Sequence, residues 1–176
     1  MSSFGKRAYK LDVVLFRALF DIKWAPLTRV MRGFTVAGTA GALWGFFAGV
    51  AFLFTGLDPV NLLFPWAGIA LSWLLAEGSK YLFNRARPFV SDTGIAPLIK
   101  TPSSSSFPSG HSATAGSGAL TLSLVYPALW PLFLAVGVLV VVSRVYLGVH
   151  YPSDVLAGVL IGCATVGLLL GPGVFS

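Results

Sequence analysis

Two histidines, three cations and one aspartate stand at spacings that suit the transfer of a phosphoryl group. The histidines are His111, in SFPSGH, and His150, in SRVYLGVHYPSD. Arginine forks and a lysine ammonium match phosphate oxygens, so we expect Lys80, Arg87 and Arg144 to hold a dianion. Two histidines can then divide the reaction, one attacking phosphorus and the other protonating the leaving oxygen.

His150 is the better candidate for the nucleophile. Asp154 follows it by four residues, across the short segment HYPSD, and can accept a hydrogen bond from one imidazole nitrogen. The other nitrogen would then direct its lone pair at the substrate. His111 is left as the general acid, and later as the base that activates water.

The residues just before His111 offer a second way to bind an anion. Ser109 and Gly110 open a predicted helix, where free backbone N–H groups and the helix dipole attract a phosphate. Glycine at this position lets the backbone approach the ligand closely. We therefore place Ser109 and Gly110 with the three cations in the predicted phosphate site.

A metal site is the main chemical alternative. Two histidines and one aspartate could bind zinc. Three neighbouring cations, however, would repel a divalent ion by several kcal/mol at an effective dielectric constant of about 20. We therefore predict neither a metal nor another cofactor.

The composition indicates that these residues lie in a membrane protein. Of the 176 residues, 56% are hydrophobic and 10% are charged, whereas a soluble domain has about 25% charged residues. The mean hydropathy is +0.83. Because about 20 apolar residues cross a bilayer as a helix, we predict an all-α transmembrane bundle of about five spans, over residues 33–54, 62–83, 111–130, 131–148 and 155–171.

Residues 9–24 precede the first span and are too charged to cross the membrane. A helical projection separates a polar face with Lys10, Arg17 and Asp21 from an apolar face with Leu11, Leu15, Leu19 and Ile22. This pattern is typical of an amphipathic helix in the membrane interface. We predict a single membrane-embedded domain over residues 1–176, with residues 1–25 forming the interfacial helix.

The alternation of the five spans brings the polar groups to one side of the membrane. Ionisable groups in membrane helices mark a functional site by default. All 12 Lys and Arg fall on this side, and nine remain when the three predicted phosphate ligands are removed. The positive-inside rule therefore favours a cytoplasmic active site.

Three motifs occur in order within residues 80–154: K-x6-R-P in KYLFNRARP, P-S-G-H, and S-R-x5-H-x3-D. All three are complete, and together they resemble the motifs of the type 2 phosphatidic acid phosphatase superfamily of lipid phosphatases, bacterial acid phosphatases and vanadium haloperoxidases. The resemblance implies that His150 forms a phosphohistidine, that Asp154 orients it and that His111 is the general acid. It also implies metal-independent catalysis and a phosphate site made by Lys80, Arg87, Ser109, Gly110 and Arg144.

The depth of the site predicts a phosphorylated membrane lipid as the substrate. The motifs bind phosphate alone, so phosphatidylglycerol phosphate and phosphatidic acid stay open beside a polyprenyl diphosphate. In size the chain resembles small bacterial undecaprenyl-diphosphate phosphatases, which puts the polyprenyl diphosphate first.

Three other functions fit the sequence less well. A vanadium haloperoxidase would reuse the pocket, but the relatives with that activity are soluble and larger. A non-catalytic protein that binds lipid phosphates would be expected to have lost a motif residue, and none is missing. Nucleic acid is not a predicted partner, because the net charge of +6 is explained by the membrane face and the phosphate pocket.

Several polar residues and glycines near the motifs have simpler interpretations. We expect Arg85 and Lys100 to contact solvent or lipid headgroups, Glu77 to pair with Lys80, and residues 103–106 to form a flexible loop. Small residues four apart let membrane helices pack closely. They recur at Gly41, Gly45, Gly49, Gly158 and Gly162. We expect these glycines to serve helix packing within the chain, and an interface in a homodimer is the second interpretation.

Overall fold

The computed structural model describes residues 3–54 and 57–171, and this part of the chain contains helices but no strands. The helices are α1 Ser3–Phe20, α2 Ala25–Ala37, α3 Ala42–Phe54, α4 Pro59–Ser79, α5 Pro88–Ser91, α6 Gly110–Val125, α7 Trp130–Tyr146 and α8 Pro152–Leu170. Short 3₁₀ turns precede α3 and α7. The predicted all-α class is confirmed.

Three helical stretches in the described residues are long and apolar enough to cross a membrane: Pro59–Ser79, Pro127–Tyr146 and Pro152–Leu170. The bent pair α2 and α3 makes a fourth if it is one span. α6 has 16 residues, fewer than the roughly 20 that a perpendicular span needs, yet it lies at the centre and packs against α4, α7 and α8. The multi-pass membrane bundle is therefore confirmed, while its central helix is shorter than predicted.

The first predicted span, residues 33–54, is broken in the middle. α2 and the segment Thr39–Phe54 meet at 55°, because Ala40 has φ 49° and Gly41 has φ 78°. Both values lie in the left-handed region, which ends a regular helix. A Cβ on Gly41 would also stand 2.3 Å from Cγ2 of Ile69. The break turns α2 towards the polar end of the bundle.

Glycines allow α6 and α8 to pack with their backbones in contact. A Cβ at Gly158 would lie 2.4 Å from the carbonyl oxygen of Ser109, and one at Gly162 would lie 2.3 Å from that of Ala113. A Cβ at Gly45 would lie 2.8 Å from the Trp66 ring, whereas one at Gly49 would meet no neighbouring atom within 4 Å. The glycines therefore serve packing within the chain, and Gly49 is the position left for the predicted homodimer.

Helix α1 docks on the polar end of the bundle through two fully buried rings, Phe16 and Phe20. They belong to a core cluster with Val145 and Tyr151. Leu11 and other apolar side chains of α1 stay exposed, as an interfacial helix requires. Its placement in the membrane interface stays a prediction.

Candidate active site

The polar groups of the three motifs converge at one end of the bundle. They come from the segment after α4, from the first turns of α6 and α8, from the last turn of α7, and, for His150, from the loop between α7 and α8. Arg87 and Arg144 are each 3% exposed, His150 is 2% exposed and Asp154 is fully buried. Charged groups are rarely buried unless they are paired or serve a ligand. The burial of these charged side chains therefore has to be explained by the groups that they contact.

His150 lies between two charges of opposite sign. Its Nε2 is 3.2 Å from Nη1 of Arg87, and its Nδ1 is 3.6 Å from Oδ2 of Asp154. The second distance is longer than a hydrogen bond, so Asp154 acts on the ring as a nearby charge. Burial lowers the pKa of His150 to about 3; Asp154 opposes the shift, and Arg144 and Arg87 add to it. The imidazole is therefore neutral at pH 7, as a nucleophile must be.

Asp154 is held by several donors at the start of α8. Its Oδ2 accepts hydrogen bonds from Oγ of Ser106 at 2.5 Å and from the backbone N–H of Tyr151 at 2.8 Å. The second bond completes a cap, in which an acidic side chain at N3 accepts from the residue that opens the helix. Its Oδ1 accepts from Nη1 of Arg85 at 2.7 Å. The carboxylate beside His150 is thus fixed in position.

Arg85 is not the headgroup contact predicted from the sequence. Its guanidinium bridges two buried carboxylates, with Nη1 on Asp154 and Nη2 2.5 Å from Oδ2 of Asp12 in α1. Ser153 closes the network, since its N–H and hydroxyl both donate to Asp12. The guanidinium also lies 4.4 Å above the Tyr151 ring, a cation–π contact. The prediction was wrong because Asp12, the partner from α1, lies 73 residues away in sequence.

Residues 103–106 were predicted to be a flexible loop, but three of these serines are bound to the site. Ser104 and Ser105 accept from Arg87 through their carbonyl oxygens, at 2.8 and 3.2 Å. Ser106 is fully buried and donates to Asp154. The segment therefore forms one wall of the site.

The guanidinium of Arg87 donates hydrogen bonds to backbone carbonyl oxygens around His150. Nη1 donates to the carbonyl oxygen of Val149 at 2.9 Å, and Nε and Nη2 donate to residues 104 and 105. These bonds fix the plane of the guanidinium. A phosphate bound there would replace or share them, and it would stand next to Nε2 of His150.

Thr35, in α2, links His111 with Arg144. Its carbonyl oxygen is 3.2 Å from Nε2 of His111, and its Oγ1 is 3.4 Å from Nη1 of Arg144. Ser143 stands 2.6 Å from the same hydroxyl. α2 thus reaches the predicted general acid, although it precedes the three motifs in sequence.

Ser109 and Gly110 occupy the start of α6 as predicted, but their present contacts are within the protein. The Ser109 hydroxyl accepts from the hydroxyl of Ser112 at 2.9 Å, and the residue is fully buried. A Cβ on Gly110 would lie 2.5 Å from Oε1 of Glu77. The group that approaches Gly110 closely is therefore a carboxylate of α4.

Lys80 forms the expected pair with Glu77, at 2.6 Å. Its side chain is 10% exposed, and its Nζ also stands 3.3 Å from Oγ of Ser104. Ser104 in turn accepts from Arg87. Burial lowers the pKa of Lys80, and the bond to Glu77 opposes this shift. Lys80 and Arg87 therefore contact the same hydroxyl group, that of Ser104.

Two buried polar atoms of the site have no hydrogen-bond partner in the described part of the chain: Nε of Arg144 and Nδ1 of His150. Leaving such groups unpaired costs about 1–3 kcal/mol each, and more for a charged group. Arg144 and His111 also line an open cavity of about 680 Å³. A buried cation with a free donor, facing a cavity, is suited to binding an anion.

Four residues of this site escaped sequence reasoning: Asp12, Thr35, Arg85 and Ser106. Arg85 lies inside the first motif, but nothing local distinguishes it from a surface cation. Asp12 and Thr35 lie on helices outside the motifs, and their roles depend on how α1 and α2 pack. Only long-range contacts reveal them.

The histidines, arginines and lysine of the three motifs lie together at one end of a multi-pass helical bundle, an arrangement that suits a membrane phosphatase. This chain belongs to the PAP2 superfamily, which it matches over residues 61–171. The match includes all three motifs. The predicted family is confirmed.

Two curated relatives and one solved structure show the range of similarity. The chain is 44% identical over 90 residues to the undecaprenyl-diphosphatase of Sulfolobus acidocaldarius, covering 51% of this chain and 44% of that protein, so it spans less than half of that relative. It is 31% identical to the lipid A 1-phosphatase of Rhizobium johnstonii, covering 86% of this chain and 71% of that one. The transmembrane PAP2-type phosphatidylglycerolphosphate phosphatase of Bacillus subtilis has a TM-score of 0.75 and 31% identity, covering 94% of this chain and 85% of that one. These matches confirm the class of membrane phosphatase.

Proposed function

We propose that this protein hydrolyses the phosphate of a membrane lipid through a phosphohistidine on His150, without a metal. The main support is the 3.2 Å separation between Nε2 of a buried, neutral His150 and Nη1 of Arg87. A phosphoryl group bound to Arg87 would present its phosphorus to that nitrogen.

The first step transfers the phosphoryl group to the protein. Nε2 of His150 attacks phosphorus in line, the bond from phosphorus to the leaving oxygen breaks, and His111 donates the proton that this oxygen takes up. Arg87, Arg144 and Lys80 offset the charge on the phosphoryl oxygens as the bond breaks. Ser109 and Gly110 add donors from the start of α6.

The second step returns the enzyme to its starting state. His111, now neutral, takes a proton from water, and the water oxygen attacks the phosphorus of the phosphohistidine. The phosphorus–nitrogen bond breaks, and Nε2 regains its lone pair. Asp154 stabilises the ring throughout, because its negative charge is fixed 3.6 Å from Nδ1. Inorganic phosphate is the product.

A polyprenyl diphosphate is the first choice of substrate. Relatives named undecaprenyl-diphosphatase occur in Sulfolobus acidocaldarius and Bacillus subtilis, and the polar end of the bundle suits a substrate whose tail stays in the bilayer. Phosphatidylglycerol phosphate is the second candidate, because the Bacillus subtilis phosphatidylglycerolphosphate phosphatase shares the fold over 94% of this chain. Phosphatidic acid is the third.

Phosphate release from purified lipids in detergent tests the proposal. We expect turnover of undecaprenyl diphosphate, and less from phosphatidic acid. EDTA should leave the rate unchanged, whereas orthovanadate should inhibit by occupying the phosphate site. Release from no phosphorylated lipid would favour the non-catalytic alternative, and loss of activity in EDTA would restore the metal hypothesis.

The position of the active site on the cytoplasmic side is also part of the proposal. Lys80, Arg85, Arg87 and Arg144 all serve the site, so eight of the 12 Lys and Arg remain to orient the chain. These remaining cations lie in and around α1, in α2 and at Lys100. A helix α1 in the interface keeps them on the side of the active site, where the positive-inside rule places the cytoplasm.

Cysteine labelling in intact cells tests this orientation. In a Cys163→Ala background, Thr93→Cys would report on the exposed segment beside the site, and Val60→Cys on the opposite end of α4. A membrane-impermeant maleimide should label residue 60 alone before lysis and both residues after lysis. Labelling of residue 93 alone in intact cells would place the site on the outer face.

A further inference from the structure

The cavity in front of His111 and Arg144 is larger than one phosphate requires. Its volume is about 680 Å³, enough for roughly twenty water molecules at about 30 Å³ each. Its walls are α2 and residues 98–103, with His111 and Arg144 between them. A lipid phosphate bound at Arg144 would leave space for a further group.

Two more cations line the same cavity, Arg32 from α2 and Lys100 from the opposite wall. No aspartate or glutamate is among the residues that line it in the described part of the chain. With Arg144, the cavity therefore holds three positive side chains and no compensating carboxylate. The electrostatic potential of the cavity therefore favours the binding of anions along its whole depth.

Arg32 is fixed in place without being neutralised. Its Nε donates to the carbonyl oxygen of Leu98 at 2.8 Å, which joins α2 to the wall that contains Lys100. This bond leaves the two terminal nitrogens of the guanidinium available for a ligand. In contrast, Lys80 and Arg85 are paired with carboxylates, and Arg87 donates to backbone carbonyls. Arg32 and Lys100, cationic groups without a carboxylate partner among the described residues, thus lie together in this cavity.

We propose that Arg32 and Lys100 form a second anion subsite, which binds the non-scissile phosphate of a lipid diphosphate while the terminal phosphate reacts at His150. This inference rests on the proposed function and names its substrate class. A planar guanidinium and an ammonium match the oxygens of a bridging phosphate. A lipid monophosphate has no group for this subsite, so the subsite selects for diphosphates.

Two lipids with identical tails, diacylglycerol diphosphate and phosphatidic acid, test the subsite in steady-state assays. The double variant Arg32→Gln/Lys100→Gln should raise KM for the diphosphate about tenfold, the scale of one charge-assisted contact. Its KM for phosphatidic acid should change less than about twofold. Arg29→Gln is the matched control: it removes an exposed cation one turn from Arg32 that does not line the cavity, and it should change neither KM.

Equal losses with both lipids would overturn the subsite and indicate a general attraction to anionic lipid. Unchanged kinetics with both lipids would overturn it as well. Neither result would affect the proposed function.

Binding of inorganic pyrophosphate separates the two proposals, because it requires no turnover. Pyrophosphate should raise the unfolding temperature of the wild-type protein more than orthophosphate does, and the double variant should lose this difference. If the wild type releases no phosphate from lipids but keeps this difference, the proposed function and the reaction at His150 fail, whereas binding of a second phosphate at Arg32 and Lys100 stands. If the wild type shows no preference for pyrophosphate, the subsite fails.

Discussion

Replacing His150 with alanine should reduce kcat for phosphate release at least about 10³-fold, because it removes the atom that bonds to phosphorus in the proposed mechanism. The other groups of the site would still bind substrate, so KM should change far less than kcat. Measurement of both constants on a lipid diphosphate checks this. Full activity in this variant would contradict the nucleophile assignment.

His111→Ala is the matched variant, because it removes the other histidine of the site but not the nucleophile. It should be severely impaired on lipid substrates, whose leaving oxygen needs a proton. With an aryl phosphate, whose leaving phenolate needs no proton, it should still transfer the phosphoryl group to His150. His150→Ala should fail with both substrates, and gel filtration of both variants would check that the fold is intact.

Replacing Arg85 with glutamine should have the second largest effect. The change leaves Asp12 and Asp154, with side chains 7% and 0% exposed, as neighbouring buried carboxylates without their shared cation. An uncompensated buried charge costs about 3–5 kcal/mol, and the partial exposure of Arg85 (25%) puts the expected loss at the lower end of that range. We also expect kcat to fall roughly 10- to 100-fold, as when the supporting partners of a site residue are removed.

The pH dependence separates a positioning role from a purely structural one. In the wild type, the positive charge of Arg85 offsets part of the attraction of Asp154 for a proton on His150. Without it, the pKa of His150 should rise, and the acid limb of kcat/KM should move to higher pH, since protonated imidazole cannot attack. Unfolding at lower temperature with an unchanged pH profile and kcat would show that Arg85 is only structural.

Asp12→Asn is the control for this variant. It removes the carboxylate of α1 but keeps the bond between Arg85 and Asp154. We expect a loss of thermal stability, because α1 is held at this point, and less than about a tenfold change in kcat. An effect on kcat as large as that of Arg85→Gln would mean that docking of α1, rather than the charge of Arg85, controls the site.

Membrane helices leave a strong signal in sequence because the bilayer requires long apolar segments. This is why the all-α class and the apolar stretches of α4, α7 and α8 could be predicted from hydropathy. The bend at Ala40 and Gly41 could not, since alanine rarely has a positive φ and the approach of Ile69 to Gly41 is a long-range contact. The structure places the motif residues near one end of the bundle, because the ends of successive spans alternate between two sides.

The partners of the motif residues were much less predictable. Arg85 precedes the long connection of residues 88–110 and serines 104–106 lie within it, and polar residues of such connections are usually solvated. Their contacts with the site follow from docking of α1 and from the fold of residues 88–110. These contacts join residues far apart in sequence, as with Asp12 and Ser153, which are 141 residues apart. A pattern local to one segment contains no information about them.

Covalent capture of the reaction intermediate tests the phosphohistidine most directly. A lipid diphosphate labelled with ³²P at its terminal phosphate would be mixed with the protein and quenched in alkali, where phosphohistidine survives. Peptide mapping should then locate the label at residue 150 in the wild type and find none in His150→Ala. Label on any other residue would contradict the phosphohistidine on His150. Turnover of an aryl phosphate by His111→Ala without a trappable phosphoprotein would contradict it as well.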